Sequence, residues 1–154
     1  MGTLPAPVCD RCYQVMDIVD TKTRSRMMSK IRAKDTQPEM IARRYFWRQG
    51  LRYRLHVKEL PGRPDIVFTK HRAIVEVRGC FWHGHQGCSK FQWPQSSKAF
   101  WRAKILRNRE RDAANLRALR RKGWRVFVLW ECQVRRSGTA TLSKVTASIL
   151  LSEQ

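Results

Sequence analysis

The ten residues GCFWHGHQGC, at positions 79–88, restrict the fold of this chain more than any other stretch. Cys and His at close spacing suggest a metal, whereas the adjacent Phe81 and Trp82 suggest a core or a stacking surface. Cys80, His85 and Cys88 offer three ligands, and Cys132, just past an apolar strand, offers a fourth. Two thiolates and an imidazole from the loop, closed by a thiolate from a strand end, would fill a tetrahedral zinc site. With no position left for water, such a site is structural. The alternative is a buried thiol at Cys132 with solvated imidazoles, and spacing alone does not decide between His83 and His85 as the ligand. A stapled loop would project Phe81 and Trp82 as a rigid wedge suited to stacked bases, unless both pack beneath it. Phe100 and Trp101 pose the same choice after the turn at Pro94.

Charge narrows the partner. The 154 residues have room for one domain with a real core, and 32 Lys and Arg against 12 Asp and Glu give a net charge of +20. A chain so charged repels itself unless a polyanion neutralises it, which points to nucleic acid. No long apolar run or lipidation signal supports a membrane partner. The N-terminus lacks a charged start followed by an apolar stretch, so a cytoplasmic location is expected. There the five Cys serve better as metal ligands or core residues than as disulfides.

Residues 1–19, with two prolines in their first seven positions and little periodicity, predict a flexible arm, and residues 20–154 the domain. The arm carries a lone CxxC, Cys9 and Cys12, with no further ligands nearby. Thr23 to Ile31 reads as a short basic helix. Thr36 and Glu39 have a capping-box spacing before a helix that runs to Gln49 and stops at Gly50. Tyr53 to Val57 alternates like an edge strand. The turn LPGRP leads into Asp65–Phe68, and Ala73–Val77 completes a hairpin. A basic helix from about Lys98 to Lys122 carries Ile105, Leu116 and Leu119 on one stripe and ends at Gly123. Arg125–Trp130 reads as a central strand, and a polar linker leads to a last helix at about Leu142–Leu151. The expectation is an α/β domain with a small central mixed sheet flanked by helices.

The carboxylates supply the chemistry. Asp65 follows Pro64, and Glu76 and Arg78 share one strand face, giving PD…ExR. This is close to the PD…(D/E)xK arrangement of magnesium-dependent nucleases. There, carboxylates hold Mg²⁺ against the scissile phosphate and the basic residue steadies the developing charge. Asn108 and Asp112 lie on the apolar stripe of the long helix, as satisfied core polars or as outer support for a site. Glu39 either caps its helix or stands near the metal.

In this order and spacing, LPGRPDIVF, GCFWHGH, FWRAKILRNRERD and GWRVFVLWEC resemble the very short patch repair (Vsr) mismatch endonucleases of bacteria, over roughly Asp20 to Cys132. The resemblance implies a restriction-endonuclease-like fold with a zinc staple. It also implies a nick 5′ of the thymine in a T·G mismatch, the lesion left by deamination of 5-methylcytosine. Asp65 becomes the central magnesium ligand with the backbone carbonyl of Val77. His83 becomes the catalytic imidazole, a group able to move a proton near neutral pH. Cys80, His85, Cys88 and Cys132 match the zinc ligands. Phe81, Trp82 and Trp101 match intercalating aromatics, and Met28 and Ile31 lie in a segment approaching from the other groove. Lys104 and Asn108 match residues near the mismatch, and Glu39 and Asp112 match supporting acidic positions.

The chain departs from that pattern at Arg78, where the family carries His, and at Glu76, where it carries a nonacidic residue. A guanidinium stabilises phosphate charge but is no base, and Glu76 adds a metal ligand. The loop is also one residue longer before Cys88. The primary expectation is therefore a Mg²⁺-dependent mismatch endonuclease. It would act as a monomer on double-stranded DNA at the nucleoid, with mismatch-repair proteins and a DNA polymerase downstream. The alternatives are a zinc-stapled DNA-binding module with an inactive centre, and a nuclease acting on matched sites.

Overall fold

The structure is a computed structural model that describes residues 20, 22, 23, 26, 34–95, 97–136 and 139–151. The proposed arm, Cys9 and Cys12, and the groove residues Met28 and Ile31 lie outside the described residues. Four strands, β1 (Arg54–Leu55), β2 (Ile66–Phe68), β3 (Ala73–Arg78) and β4 (Arg125–Trp130), form one sheet in the order β1-β2-β3-β4. β1, β2 and β3 pair antiparallel. β4 joins β3 in parallel, with Glu76 opposite Val128 and Arg78 opposite Trp130. A parallel neighbour requires a crossover, and helix α2 (Lys98–Arg121) provides it. The others are α1 (Gln37–Arg48), α3 (Glu131–Arg136) and α4 (Thr139–Leu150).

Alternation along the strands divides the core into two layers. Ile66, Phe68, Val75 and Leu129 pack with Ala42 and Phe46 of α1, Val134 of α3, and Leu142 and Ile149 of α4. Phe46 and Phe68 meet edge to face at 5.3 Å. On the opposite face Val67 and Ile74 pack against Leu119 of α2. Asp65 has the parity of Val67, and Glu76 and Arg78 that of Ile74, so the polar ends of both strands continue the α2 side beyond the core.

Several expectations change in detail. β4 is an edge strand of the sheet, not a central one; helices on both faces give its sequence the apolar character of an interior strand. The Tyr53–Val57 strand shrinks to Arg54–Leu55, because its neighbour β2 is itself three residues long. The polar run after β4 begins with a helical turn, α3, and α4 starts at Thr139. Thr36 does not cap α1 through its side chain. Its hydroxyl instead donates to Glu39 Oε1 at 2.8 Å, while Glu39 Oε2 accepts the Asp35 N–H at 3.1 Å. α1 ends as expected before Gly50, whose φ of +80° suits a residue without Cβ.

Candidate active site

The loop after β3 folds back on itself through two backbone bonds, His83 N–H to the Gly79 carbonyl and His85 N–H to the Cys80 carbonyl. This brings Cys80, His85 and Cys88 together with Cys132 in the first turn of α3, all four ligand atoms lying within 4.8 Å of one another. Sγ of Cys80 and Cys132 stand 3.6 and 3.4 Å from His85 Nδ1. Separations of that size match ligands arranged tetrahedrally around one ion. The His85 ring is stacked on Trp130 at 3.9 Å with an interplanar angle of 2°, which fixes its orientation. Burial pushes the Cys80 thiol up to about 12 and raises that of Cys132, so a bound cation is what would make both thiolates. Gly84 lets the loop touch α2. Its φ is +59°, and a Cβ there would stand 2.8 Å from Ile105 Cγ2.

That turn sends His83 the other way. Its Nδ1 meets Asp112 Oδ2 from α2, leaving Nε2 directed elsewhere. Burial opposes ionisation of Asp112, but the His83 bond and the nearby Arg78 and Arg111 outweigh it and hold the carboxyl below its usual range. Arg78 Nη1 is 4.0 Å from the same oxygen. Its other nitrogens, Nε and Nη2, donate to Glu76 Oε2 at 3.1 and 2.5 Å. Asp65 Oδ2 accepts the Val77 N–H at 2.8 Å. Burial foremost, aided by the negative charges of Glu39 and Glu76, raises the Asp65 carboxyl to about 6. Asp65, Glu76, Arg78, His83, Asp112 and Glu39 all line one cleft of about 1030 Å³ with Lys58, Arg63, Arg111 and Arg135 also on its walls. A carboxylate group beneath a cationic rim is chemically suited to a divalent cation and a phosphate.

The aromatics form a cluster beside this cleft. Phe81 lies 5.2 Å from both Trp82 and Trp101, and Trp82 lies 6.0 Å from Trp101. Lys104 Nζ sits 5.4 Å above Trp82 and 5.5 Å above Trp101. Asn108 Nδ2 donates to the Trp82 carbonyl at 2.9 Å, tying the loop to α2. Trp101 is 8% exposed and Phe100 is 59% exposed, so Phe100 is the ring that projects. Trp82 also lines the cleft, which puts the cluster and the carboxylates on one continuous surface.

A family model described as DNA mismatch endonuclease Vsr matches residues 16–90. A relative named DNA mismatch endonuclease Vsr, from Escherichia coli K12, is 40% identical over 77% of this chain and 76% of its own length. The chain belongs to the Vsr DNA mismatch endonuclease family. Two further relatives carry the name type II nicking enzyme. That from Neisseria meningitidis serogroup A is 44% identical over 77% of this chain and 84% of the relative. That from Xanthomonas oryzae pv. oryzae is 45% identical over 77% and 86%. The protein is thus an endonuclease acting on DNA, and no helix among the described residues is long and apolar enough to cross a membrane.

For this Vsr chain, folding groups the residues singled out in the sequence into three sets. Cys80, His85, Cys88 and Cys132 form a cluster that could hold a metal ion, and the turn at Gly84 brings His85 rather than His83 into it. Asp65, Glu76, Arg78, His83, Asp112 and Glu39 line the cleft. Phe81, Trp82, Trp101, Lys104 and Asn108 make the aromatic cluster and its supports. Sequence reasoning missed Trp130, which orients His85, and Asn115, against which the Gly62 turn packs. It also missed Arg43, which pairs with Glu39 at 2.8 Å. The i,i+4 spacing of Glu39 and Arg43 was the available signal.

Proposed function

We propose that this Vsr-family endonuclease has a restriction-endonuclease-like fold and, with Mg²⁺, nicks duplex DNA 5′ of the thymine in T·G mismatches, initiating very short patch repair. The observation that carries this is the single cleft shared by Asp65, Glu76, His83 and Asp112, bordered by the Phe81–Trp82–Trp101 cluster. Asp65 and Glu76 would hold the cation, with the Val77 carbonyl. The ion, when bound, supplies Lewis-acid activation of water and neutralises phosphate charge. His83 keeps Nδ1 on Asp112 and exchanges a proton with the reacting oxygens through Nε2. Arg78, a guanidinium held by Glu76, faces the phosphate as a fixed positive charge rather than as a base. The four-ligand cluster would hold a structural Zn²⁺ that fixes the loop carrying both His83 and the aromatic wedge.

A mismatched pair costs less to unstack than a matched one, so the aromatic wedge reads damage through deformability. Acting as a monomer in the bacterial cytoplasm and nucleoid, the enzyme would leave its nick to a DNA polymerase and mismatch-repair proteins. The test is a labelled duplex with one T·G pair, and its T·A twin, incubated with Mg²⁺ and wild type or Asp65→Asn. The expected result is a nick 5′ of the mismatched T made by wild type alone. Tight binding with no cut would instead indicate a binding module, and cutting of both duplexes a matched-site nuclease.

A further inference from the structure

One network beside the cleft, centred on the buried Arg43 and Glu39, has no role in the chemistry proposed above. Asp35, Glu39 and His56 each point a ligand atom into one small space, the three atoms lying within 4.8 Å of one another. Two carboxylates and an imidazole are a donor set for a divalent cation. Arg43 fills the space. Its Nη1 donates to Asp35 Oδ1 at 2.5 Å, its Nη2 to Glu39 Oε2 at 2.8 Å, and Nη2 stands 3.3 Å from His56 Nε2. The residue is 5% exposed, and its Nε is buried without a hydrogen-bond partner. A pair kept for packing alone would be replaceable by apolar side chains of similar volume, and a buried donor left unbonded is a cost. The charge therefore has another use.

We propose that Arg43 is a positioning residue that serves as a built-in cation, holding Glu39 at the cleft and denying the Asp35–Glu39–His56 space to a second metal ion. Glu39 is held at every oxygen, by Arg43, by the Thr36 hydroxyl and by the Asp35 N–H. It lines the same cleft as Asp65 and Glu76, where three carboxylates would otherwise repel one another. Glu39 and Glu76 act on Asp65 as like charges, and Arg43 as an opposing one. A guanidinium fork matches two carboxylates in a fixed plane and, unlike a bound ion, neither dissociates nor varies with metal supply.

The test counts Mn²⁺ ions bound to the full-length, DNA-free protein by the electron paramagnetic resonance signal of the free ion. Arg43→Gln, which removes the charge but keeps polar reach, is expected to bind one more Mn²⁺ per chain than wild type. The extra ion disappears in Arg43→Gln/Asp35→Asn, and Arg43→Lys binds the wild-type number. In nicking assays, Arg43→Gln lowers kcat about tenfold with KM for DNA unchanged, and Arg43→Lys recovers most of the loss. The kinetic arm rests on the nuclease centre proposed above; the ion count does not. A folded Arg43→Gln that binds the wild-type number of ions overturns the assignment. Asp35→Asn alone, which changes an exposed carboxylate and keeps the fold, settles the matter if Arg43→Gln does not fold: an unchanged ion count is expected, and a lost ion overturns the proposal.

Discussion

Asp65 shows what a single buried carboxyl does to stability. Its carboxyl has a value of about 6 in the fold against 3.8 when unperturbed, burial being the main cause. The native state therefore holds a proton that the unfolded chain has released between those values. Stability falls as pH rises from about 4 to about 6 and stays at its lower level above that. Asp65→Asn removes the buried charge. In metal-free protein at pH 7.5, about one and a half units above that midpoint, the variant should be more stable by up to about 3 kcal/mol, and at about pH 4 the gap should close. Urea unfolding at the two pH values measures this, and a variant less stable at both would contradict it. The same substitution should abolish nicking.

At the scale of elements, the loop between β3 and α2 can do two jobs because interleaved residues along it face different partners. Cys80, His85 and Cys88 face Cys132 of α3, while His83 and the Trp82 carbonyl face Asp112 and Asn108 of α2. Cys132→Ser should lower zinc content from about one per chain to near zero and cost several kcal/mol. Atomic emission together with calorimetry checks both, and full zinc retention would remove Cys132 from the ligand set. Trp82→Ala tests the other job. Its ring packs against Phe81 and Trp101 under Lys104, so truncation should cut mismatch preference about tenfold while binding to matched duplex changes less than twofold. Equal losses on matched and mismatched duplexes in a binding assay would count against a wedge. Much of this loop was legible in sequence, because its Cys and His spacing is local. Spacing alone left His83 and His85 open and only the family resemblance separated them, since in the fold the choice depends on the turn at Gly84 and on Asp112, 29 residues away from His83.

For the molecule as a whole, the net charge of +20 dominates its behaviour in solution. Five basic residues, Lys58, Arg63, Arg78, Arg111 and Arg135, stand on the walls of the cleft, so part of that charge would meet DNA at the proposed nuclease centre. Each phosphate contact releases counterions. Raising NaCl from about 50 to about 200 mM should weaken binding to matched duplex roughly a thousandfold, with the ratio of mismatched to matched affinity nearly constant. Fluorescence anisotropy over a salt series checks the slope, and a collapsing ratio would show that discrimination also comes from charge.

The sequence by itself determined the class of partner, the metal-ligand types, the PD…ExR carboxylates, the hairpin and the long basic helix. These rest on composition, on residue types or on spacing read along the chain. Tertiary structure decided what depends on distant segments meeting. It placed β4 at the sheet edge, set Arg78 near Asp112, and drew Glu39 from its helix end into the cleft. It also buried Arg43 among Asp35, Glu39 and His56. A helical or strand period says which face a side chain takes, but only packing says what stands opposite that face.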